Sequence, residues 1–200
     1  MGSRAGGVFD FFGAGDTTYR GQIKNAESLI HIRDPRVYKE TTRAISRFYA
    51  AMGIPERNIK IADLSKGVFG AGAKGGVYLN KAYYNKPYKD FVKVHANQEA
   101  IGHLTKTNKP GMHTTTHELA HALWSSYDKS PKAIAAGKEI KAAYKAFKNA
   151  GRGRAYSRGY GKYATQNADE WWAETVTKAV HGKADKYTNA VKTIAKKYKL

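Results

Sequence analysis

The chain contains no cysteine among its 200 residues, which excludes disulfide bonds, thiolate metal sites and cysteine nucleophiles. Any metal must therefore be held by histidine, aspartate or glutamate. The sequence also lacks an apolar run of the roughly 18 residues that a membrane-spanning helix needs. Its glycine-rich start has no apolar core of a signal peptide. We therefore expect no membrane partner and no signal-directed secretion.

Acidic residues are scarce, since 16 of them face 35 lysines and arginines and leave a formal net charge of +19. A charge of this size predicts attraction to polyanions or acidic substrates, whatever the fold. The length suits one domain with a real core and is too short for two comfortable ones. We place that domain at residues 28–200. Residues 1–27, with an apolar island at 8–12, are predicted to be a flexible or docking tail.

The stretch His-Glu-Leu-Ala-His at residues 117–121 carries the most specific chemistry in the chain. In a helix, His117 and His121 lie four residues apart on one face, so both imidazoles can meet a single metal ion. Glu118 lies beside them, where a metallopeptidase has its general base. Such a match arises by chance in fewer than about 1 % of chains of this length. Apolar neighbours such as Leu119 and Leu123 favour a buried helix that could house a metal.

A catalytic zinc ion needs a third protein ligand and one open position. The sequence lacks the third histidine that would stand six residues after His121, because Tyr127 occupies that place. Residues 167–174 predict a second helix with Glu170 and Glu174 on one face, one as ligand and one supporting a ligand. Glu170 also fits the third position of a capping box that begins at Asn167. A capping box accounts for neither Glu174 nor Tyr163.

His113 lies one turn before His117 on the same helix face. It could be an extra ligand, a partner of a ligand or a residue at the rim of the site. We favour the rim, because three histidines on one straight helix cannot all reach one ion with tetrahedral geometry. If Glu170 is not the third ligand, Glu174 and His113 are the next candidates.

The order Tyr163-Ala164, five residues, then Glu170-Trp-Trp-Ala-Glu174, all downstream of His-Glu-x-x-His, resembles the catalytic core of the anthrax-lethal-factor-like zinc peptidases. Relatives of that gluzincin family are encoded by bacteriophages and by toxin genes. Two tryptophans stand here where the family pattern has two phenylalanines. The resemblance spans roughly residues 76 to 180.

The resemblance implies a role for each matched residue. His117, His121 and Glu170 would bind Zn²⁺, Glu118 would be the catalytic base, and Tyr163 would stabilise the tetrahedral intermediate. The implied fold is a single α+β gluzincin-type domain with a small mixed sheet, an active-site helix and C-terminal helices. The implied function is a zinc-dependent endopeptidase that acts on a peptide or protein substrate. A phage relative would be found in a virion or in the host cytoplasm.

Local patterns predict the surrounding elements. Asp34 as N-cap and Pro35 at the first position begin a helix that ends near Gly53. A strand is predicted over residues 58–62, a glycine-rich turn over 67–76, and short strands over 76–80 and 91–94. Further helices are expected after Ser130 and Asp185.

The strand at residues 76–80 has two possible roles. In the chain order of gluzincins it would be the edge strand on which an extended peptide pairs, so Val77, Tyr78 and Leu79 are candidate substrate-binding residues. The alternative is an ordinary interior strand.

Basic side chains recur in the C-terminal half. Four lysines at positions 138, 141, 145 and 148 form one stripe of a predicted helix, and residues 151–163 interleave arginine with tyrosine. A solvated face and a rim of the active site explain these patterns, and so does contact with nucleic acid. The rival function is therefore a nucleic-acid-associated or structural protein, such as a component of a phage head.

Overall fold

The structure is a computed structural model that describes residues 23–65, 68–73, 76–124 and 129–200. It has a small mixed sheet and a larger set of helices, which confirms the predicted α+β class. The described strands are β1 (Lys24–Ser28), β2 (Ile59–Asp63), β3 (Gly70–Ala73) and β4 (Gly76–Asn80). The described α-helices are α1 (Pro35–Met52), α2 (Lys81–Tyr84), α3 (Tyr88–Ala100), α4 (Pro110–Leu123), α5 (Pro131–Asn149), α6 (Arg152–Ser157), α7 (Ala168–His181) and α8 (Lys186–Tyr198). Two 3-10 helices span Leu29–His31 and Tyr163–Thr165.

The four strands lie in the order β1-β2-β4-β3. β2 and β4 pair in parallel, and the two outer pairs are antiparallel. The predicted strand at residues 76–80 is confirmed as β4, but it is an interior strand. The predicted pairing of an extended substrate with Val77, Tyr78 and Leu79 at a sheet edge is therefore wrong, because β2 and β3 already flank their strand on both sides.

The glycine-rich segment that we predicted to be a turn contains β3, which is the edge strand on that side of the described sheet. Four small residues, Gly-Ala-Gly-Ala, form it. A strand without large side chains gives almost no alternation of apolar and polar residues, so the sequence pattern could not reveal it.

The predicted helix boundaries are confirmed where capping residues mark them. The Asp34 carboxylate accepts hydrogen bonds from the backbone N–H groups of Arg36 and Val37 at the start of α1. The helix ends at Gly53, whose φ of 66° lies in the left-handed region that glycine adopts without strain. Ser130 and Asp185 cap α5 and α8 in the same way.

Two local predictions are corrected. The strand predicted over residues 91–94 lies within α3, where Phe91 and His95, four residues apart, are both buried on the helix face that meets the core. Residues 24–27, assigned to the tail, pair with β2 as part of β1. Within the predicted tail, residues 1–22 with the island at 8–12 lie outside the described residues.

The main core lies between α1, α4, α5, α7 and α8 and contains the three tryptophans at positions 124, 171 and 172, each at most 2 % exposed. A second core cluster links α1, α3 and the sheet. No helix among the described residues combines the length and apolar character needed to cross a membrane. The two clusters place α4 at the centre of the molecule, in contact with α1, α3, α7 and β3.

Candidate metal centre

α4 is buried around most of its circumference, and three consecutive threonines bond it to three neighbouring helices. The hydroxyl of Thr114 hydrogen-bonds to His95 on α3, that of Thr115 to Tyr84 on α2, and that of Thr116 to His181 on α7. The distances are 2.7, 3.0 and 2.8 Å, respectively. β-Branched residues are weak helix formers, so this run is held by tertiary contacts rather than by propensity.

α7 is oriented by its own cap and by a bond to α4. The Asn167 side chain accepts a hydrogen bond from the backbone N–H of Glu170 at 2.8 Å, as the sequence predicts. The indole N–H of Trp172 donates to the carbonyl oxygen of Ala120 at 2.9 Å. The cap and this hydrogen bond thus set the position of Glu170 and Glu174 opposite the histidines of α4.

The side chains of the three residues that the family resemblance assigns as metal ligands lie close together. The Nε2 atoms of His117 and His121 lie 3.0 Å apart. The carboxylate of Glu170 lies 3.3 Å from Nε2 of His117 and 3.7 Å from Nε2 of His121. All three side chains are buried, with at most 6 % of the residue exposed.

These separations fit a single tetrahedral ion. With bonds of about 2.0–2.2 Å, two ligands of a tetrahedral zinc lie roughly 3.3–3.6 Å apart, close to the spacing seen here. The Oε2 atom of Glu170 is buried and has no hydrogen-bond donor among the described residues. A buried carboxylate oxygen without a hydrogen bond is costly, and either a proton on a neighbouring ring or a metal ion shared with the two imidazole nitrogens would stabilise it. The group of His117, His121 and Glu170 could therefore hold a metal ion.

Glu174 makes the supporting contact predicted from the sequence. Its Oε1 atom accepts a hydrogen bond from Nδ1 of His117 at 2.8 Å, and its Oε2 atom accepts one from the backbone N–H of Thr105 at 2.6 Å. A carboxylate that takes the Nδ1 proton leaves the Nε2 lone pair of the same ring available to a metal. Glu174 could also be read as a ligand in a second group with His113 and His117. Its oxygens are already satisfied by donors, which favours the supporting role.

His113 is not a rim residue, which corrects the sequence-based assignment. It is fully buried, with Nε2 at 3.0 Å from Oε1 of Glu174 and Nδ1 at 3.2 Å from Oε1 of Glu99. The helical spacing placed His113 on the correct face of α4. Only the packing of α3 and α7 against that face closed it from solvent.

Burial and charge act in opposite directions on the titrating groups of the centre. Burial alone would raise the pKa of Glu170, but the neighbouring positive charges of the His121 and His117 rings hold it at about 2. Burial would likewise lower the pKa of His117, yet the two carboxylates around it raise the value well above the usual one. The centre therefore contains an ionised Glu170 beside a strongly basic His117.

Glu118 differs from the other acids of the centre, because no hydrogen bond from a cation among the described residues stabilises its ionised form. Burial raises its pKa to about 7. The positive charges of the His117 and His121 rings lower the pKa by a smaller amount. The side chain lies against the backbone of β3. A Cβ atom built on Gly70 would stand 2.8 Å from Cγ and 3.1 Å from Oε2 of Glu118, closer than atoms pack. Gly70 thus lets the Glu118 side chain lie directly against the edge strand.

Tyr163 begins the 3-10 helix that packs on α7, and only 8 % of it is exposed. Its ring meets that of His103 edge to face, with 5.6 Å between the centroids. Its proposed part in stabilising the oxyanion stays a prediction.

Sequence reasoning missed three residues of the centre: Gly70, Glu99 and Thr105. Glu99 lies after the strand predicted at residues 91–94, where no element was predicted, and Thr105 contributes only its backbone N–H, which no side-chain pattern records. Gly70 lies in a run of small residues, and nothing in the sequence distinguishes it from the neighbouring glycines. A helical prediction for residues 88–100 would have placed Glu99 one turn after His95 and shown both as candidates.

The chain was compared with protein-family models, curated proteins and solved structures, and none of them matches it.

Proposed function

We propose that this protein is a zinc-dependent endopeptidase of the gluzincin type, similar to the anthrax-lethal-factor-like peptidases. The observation that carries the proposal is the convergence of two imidazole nitrogens and one carboxylate within 3.7 Å, with a buried glutamate next to the first histidine in the chain. Two histidines and one glutamate are the ligand set of a peptidase zinc, and the set leaves a fourth position open.

The donor set favours zinc over harder cations. Magnesium and calcium take mostly oxygen ligands, whereas two neutral imidazoles with one carboxylate suit zinc and other late divalent metals. A zinc ion held by His117, His121 and Glu170 would activate a water molecule and polarise the scissile carbonyl.

Glu118 is the general base in this proposal. A carboxylate with a pKa near 7 can accept a proton from the attacking water and pass it to the leaving amine at neutral pH. Glu174 holds the tautomer of His117 through the Nδ1–H bond. Tyr163 is the proposed donor to the developing oxyanion, a role for which removal of a single donor costs ~3–4 kcal/mol in other enzymes.

The proposed substrate is an extended peptide that pairs with β3. This strand replaces Val77, Tyr78 and Leu79 of β4 as the docking site, because its outer side is the edge of the described sheet and its backbone at Gly70 adjoins Glu118. Strand addition at such an edge would place a scissile bond beside the base. The net charge of +19 favours acidic peptides.

Metal content and hydrolysis test the proposal together. We expect one zinc per wild-type chain by elemental analysis, a sharp loss of affinity in His117→Ala and Glu170→Ala, and cleavage of a peptide library by the wild type only. Glu118→Gln is the matched control, since it keeps the fold and the metal but lacks the base. Equal cleavage by wild type and Glu118→Gln would refute the mechanism, and stoichiometric zinc in Glu170→Ala would show that the third ligand is wrong.

A second candidate function, contact with nucleic acid, is supported by the charge of three helices. α5, α6 and α8 together carry eleven basic residues and one acidic residue, Glu139. That single acid is neutralised by an ion pair with Lys197 and a hydrogen bond from the Tyr198 hydroxyl. The lysines of the α5 stripe, Lys138, Lys141, Lys145 and Lys148, are exposed and have no carboxylate within 4.0 Å among the described residues. The phosphate groups of a nucleic acid could neutralise these four lysines instead.

A further inference from the structure

A buried chain of hydrogen bonds continues beyond the proposed metal ligands. It runs from Nδ1 of His117 to Glu174, from Glu174 to Nε2 of His113, and from Nδ1 of His113 to Glu99, with distances of 2.8, 3.0 and 3.2 Å. Glu99 lies on α3, the two histidines on α4 and Glu174 on α7. The chain therefore joins three helices through one line of polar atoms.

Both ring nitrogens of His113 face carboxylate oxygens. An ionised carboxylate only accepts hydrogen bonds, so each nitrogen that meets one must donate. Nδ1 is held by Glu99, which also accepts a bond from the hydroxyl of Thr107. The ring is thus fixed in the plane that presents its Nε2–H to Oε1 of Glu174.

Oε1 of Glu174 receives two donors, one from His113 and one from His117, while the backbone of Thr105 holds Oε2. Three donors around one fully buried carboxylate leave it a single orientation. Without His113, the carboxylate could rotate about its bond to Thr105 and the direction of the His117 ring would be less defined.

We propose that His113, anchored by Glu99, is a positioning residue that sets the affinity and geometry of the metal centre through Glu174. The inference rests on the proposed metal site but not on peptidase activity. His113 itself touches no metal in this scheme, and its whole effect is carried by the Nε2–H donor.

Two variants test whether the effect of His113 comes from its Nε2–H donor or from the volume of its side chain. In His113→Gln, the side-chain amide nitrogen lies about where Nε2 of histidine lies, so it can still donate to Glu174. In His113→Asn, the amide lies near the former Nδ1 position and cannot reach Glu174. We expect His113→Asn to lose about 10- to 100-fold in zinc affinity, and His113→Gln to lose much less.

His181→Asn is the matched control. His181 is also a buried imidazole, only 3 % exposed, and its Nε2 bonds to Thr116 on α4 at 2.8 Å. The same substitution there removes an Nε2 contact to α4 without touching Glu174. We expect a loss of thermal stability with zinc affinity close to that of the wild type.

Zinc affinity is measured by competition with a chromophoric chelator, and the electronic spectrum of bound Co²⁺ reports ligand geometry without reference to activity. The expected result is a changed Co²⁺ spectrum in His113→Asn and a wild-type spectrum in the other two variants. Equal zinc affinity of His113→Asn and His113→Gln, or an equal loss in His181→Asn, would overturn the inference and leave the proposed function standing. A wild-type protein that binds neither metal would refute both.

Discussion

At the scale of single residues, the proposed chemistry depends on where Glu118 is held. The carboxylate is buried, its pKa is raised to about 7 by that burial, and it lies against the backbone of β3 at Gly70. A base in such a position needs no partner to be basic enough at neutral pH. It does need the space that the missing Cβ of Gly70 leaves.

Gly70→Ala tests this dependence. The added methyl group would meet Cγ of Glu118 at 2.8 Å, so either the carboxylate or β3 must shift. We expect peptide hydrolysis to fall by about 10- to 100-fold, since small misplacements of a reacting group have effects of this size. Zinc content should not change, because the three atoms nearest to the added methyl group all belong to Glu118 and none to a proposed ligand. Kinetic assays with metal analysis check both parts.

Gly153→Ala is the control, because a Cβ at that position of α6 would meet nothing within 4 Å. It should leave hydrolysis unchanged. A Gly70→Ala protein with wild-type turnover would show that Glu118 does not act from its position beside β3.

At the scale of elements, α7 delivers Glu170 through its first turn. Asn167 caps the helix by accepting the backbone N–H of Glu170 itself, so the cap and the proposed ligand share one peptide unit. Ser130 caps α5 by the same kind of bond to the N–H of Ala133 at 3.2 Å, but α5 contributes no side chain to the centre.

Asn167→Ala and Ser130→Ala therefore form a matched pair. Each should lower the free energy of unfolding of the metal-free protein by about 1 kcal/mol, the usual cost of a lost cap. Only Asn167→Ala should also weaken zinc binding, because the first turn of α7 then frays at Glu170. Denaturant titrations and chelator competition measure the two effects. Equal zinc affinity in the two variants would show that the cap does not position the ligand.

The polar contacts of α4 also make the fold sensitive to acid. Burial lowers the pKa of His95 to about 3 and that of His181 to about 4, with a smaller contribution from the charge of His113 in each case. Below about pH 6.5 the unfolded chain binds protons at these two positions while the folded protein does not. Each of these two groups therefore lowers the stability as the pH falls, by up to about 1.4 kcal/mol per pH unit, while protonation of Glu118, whose folded pKa is raised to about 7, offsets one of the two between about pH 7 and pH 4.5.

The measurement is the free energy of unfolding of the metal-free protein between pH 7 and pH 4. His95→Asn removes one of the two titrating rings and keeps an amide near the former Nδ1 position, where it can bond to Thr114. Its stability should decline less steeply with acid than that of the wild type. Parallel curves for the two proteins would show that His95 is not a buried neutral histidine.

At the scale of the whole molecule, the excess of positive charge is unevenly paired. Among the described residues, few acids form an ion pair with a lysine or an arginine. No lysine of the α5 stripe forms one. The distance along α5 from Lys138 to Lys148 is roughly 15 Å at 1.5 Å per residue, enough to follow several phosphates of a nucleic acid.

We predict salt-sensitive binding to DNA or RNA by this stripe. Replacing Lys138, Lys141, Lys145 and Lys148 by glutamine should flatten the slope of log affinity against log salt by up to about 0.9 for each phosphate that the stripe no longer neutralises. The control replaces the same number of exposed lysines on β1, α1 and α3, namely Lys24, Lys39, Lys89 and Lys93. If both quadruple variants change the slope equally, the attraction comes from net charge and not from this surface.

The sequence by itself determined the features that depend on short-range geometry. The spacing of His117 and His121 fixes their common face in any helix, and the caps at Asp34, Ser130, Asn167 and Asp185 mark where helices begin. These predictions succeed because backbone hydrogen bonds within one or two turns decide them. The charge excess is likewise a property of composition alone.

Only the tertiary structure decided the features that depend on which surfaces meet. It made β4 an interior strand and β3 the edge, turned residues 91–94 into a helix, and enclosed His113 between Glu99 and Glu174. The physical reason is that strand order and burial arise from contacts between residues far apart in the chain. His113 and Glu174, for example, are separated by 61 positions, and no local pattern links them.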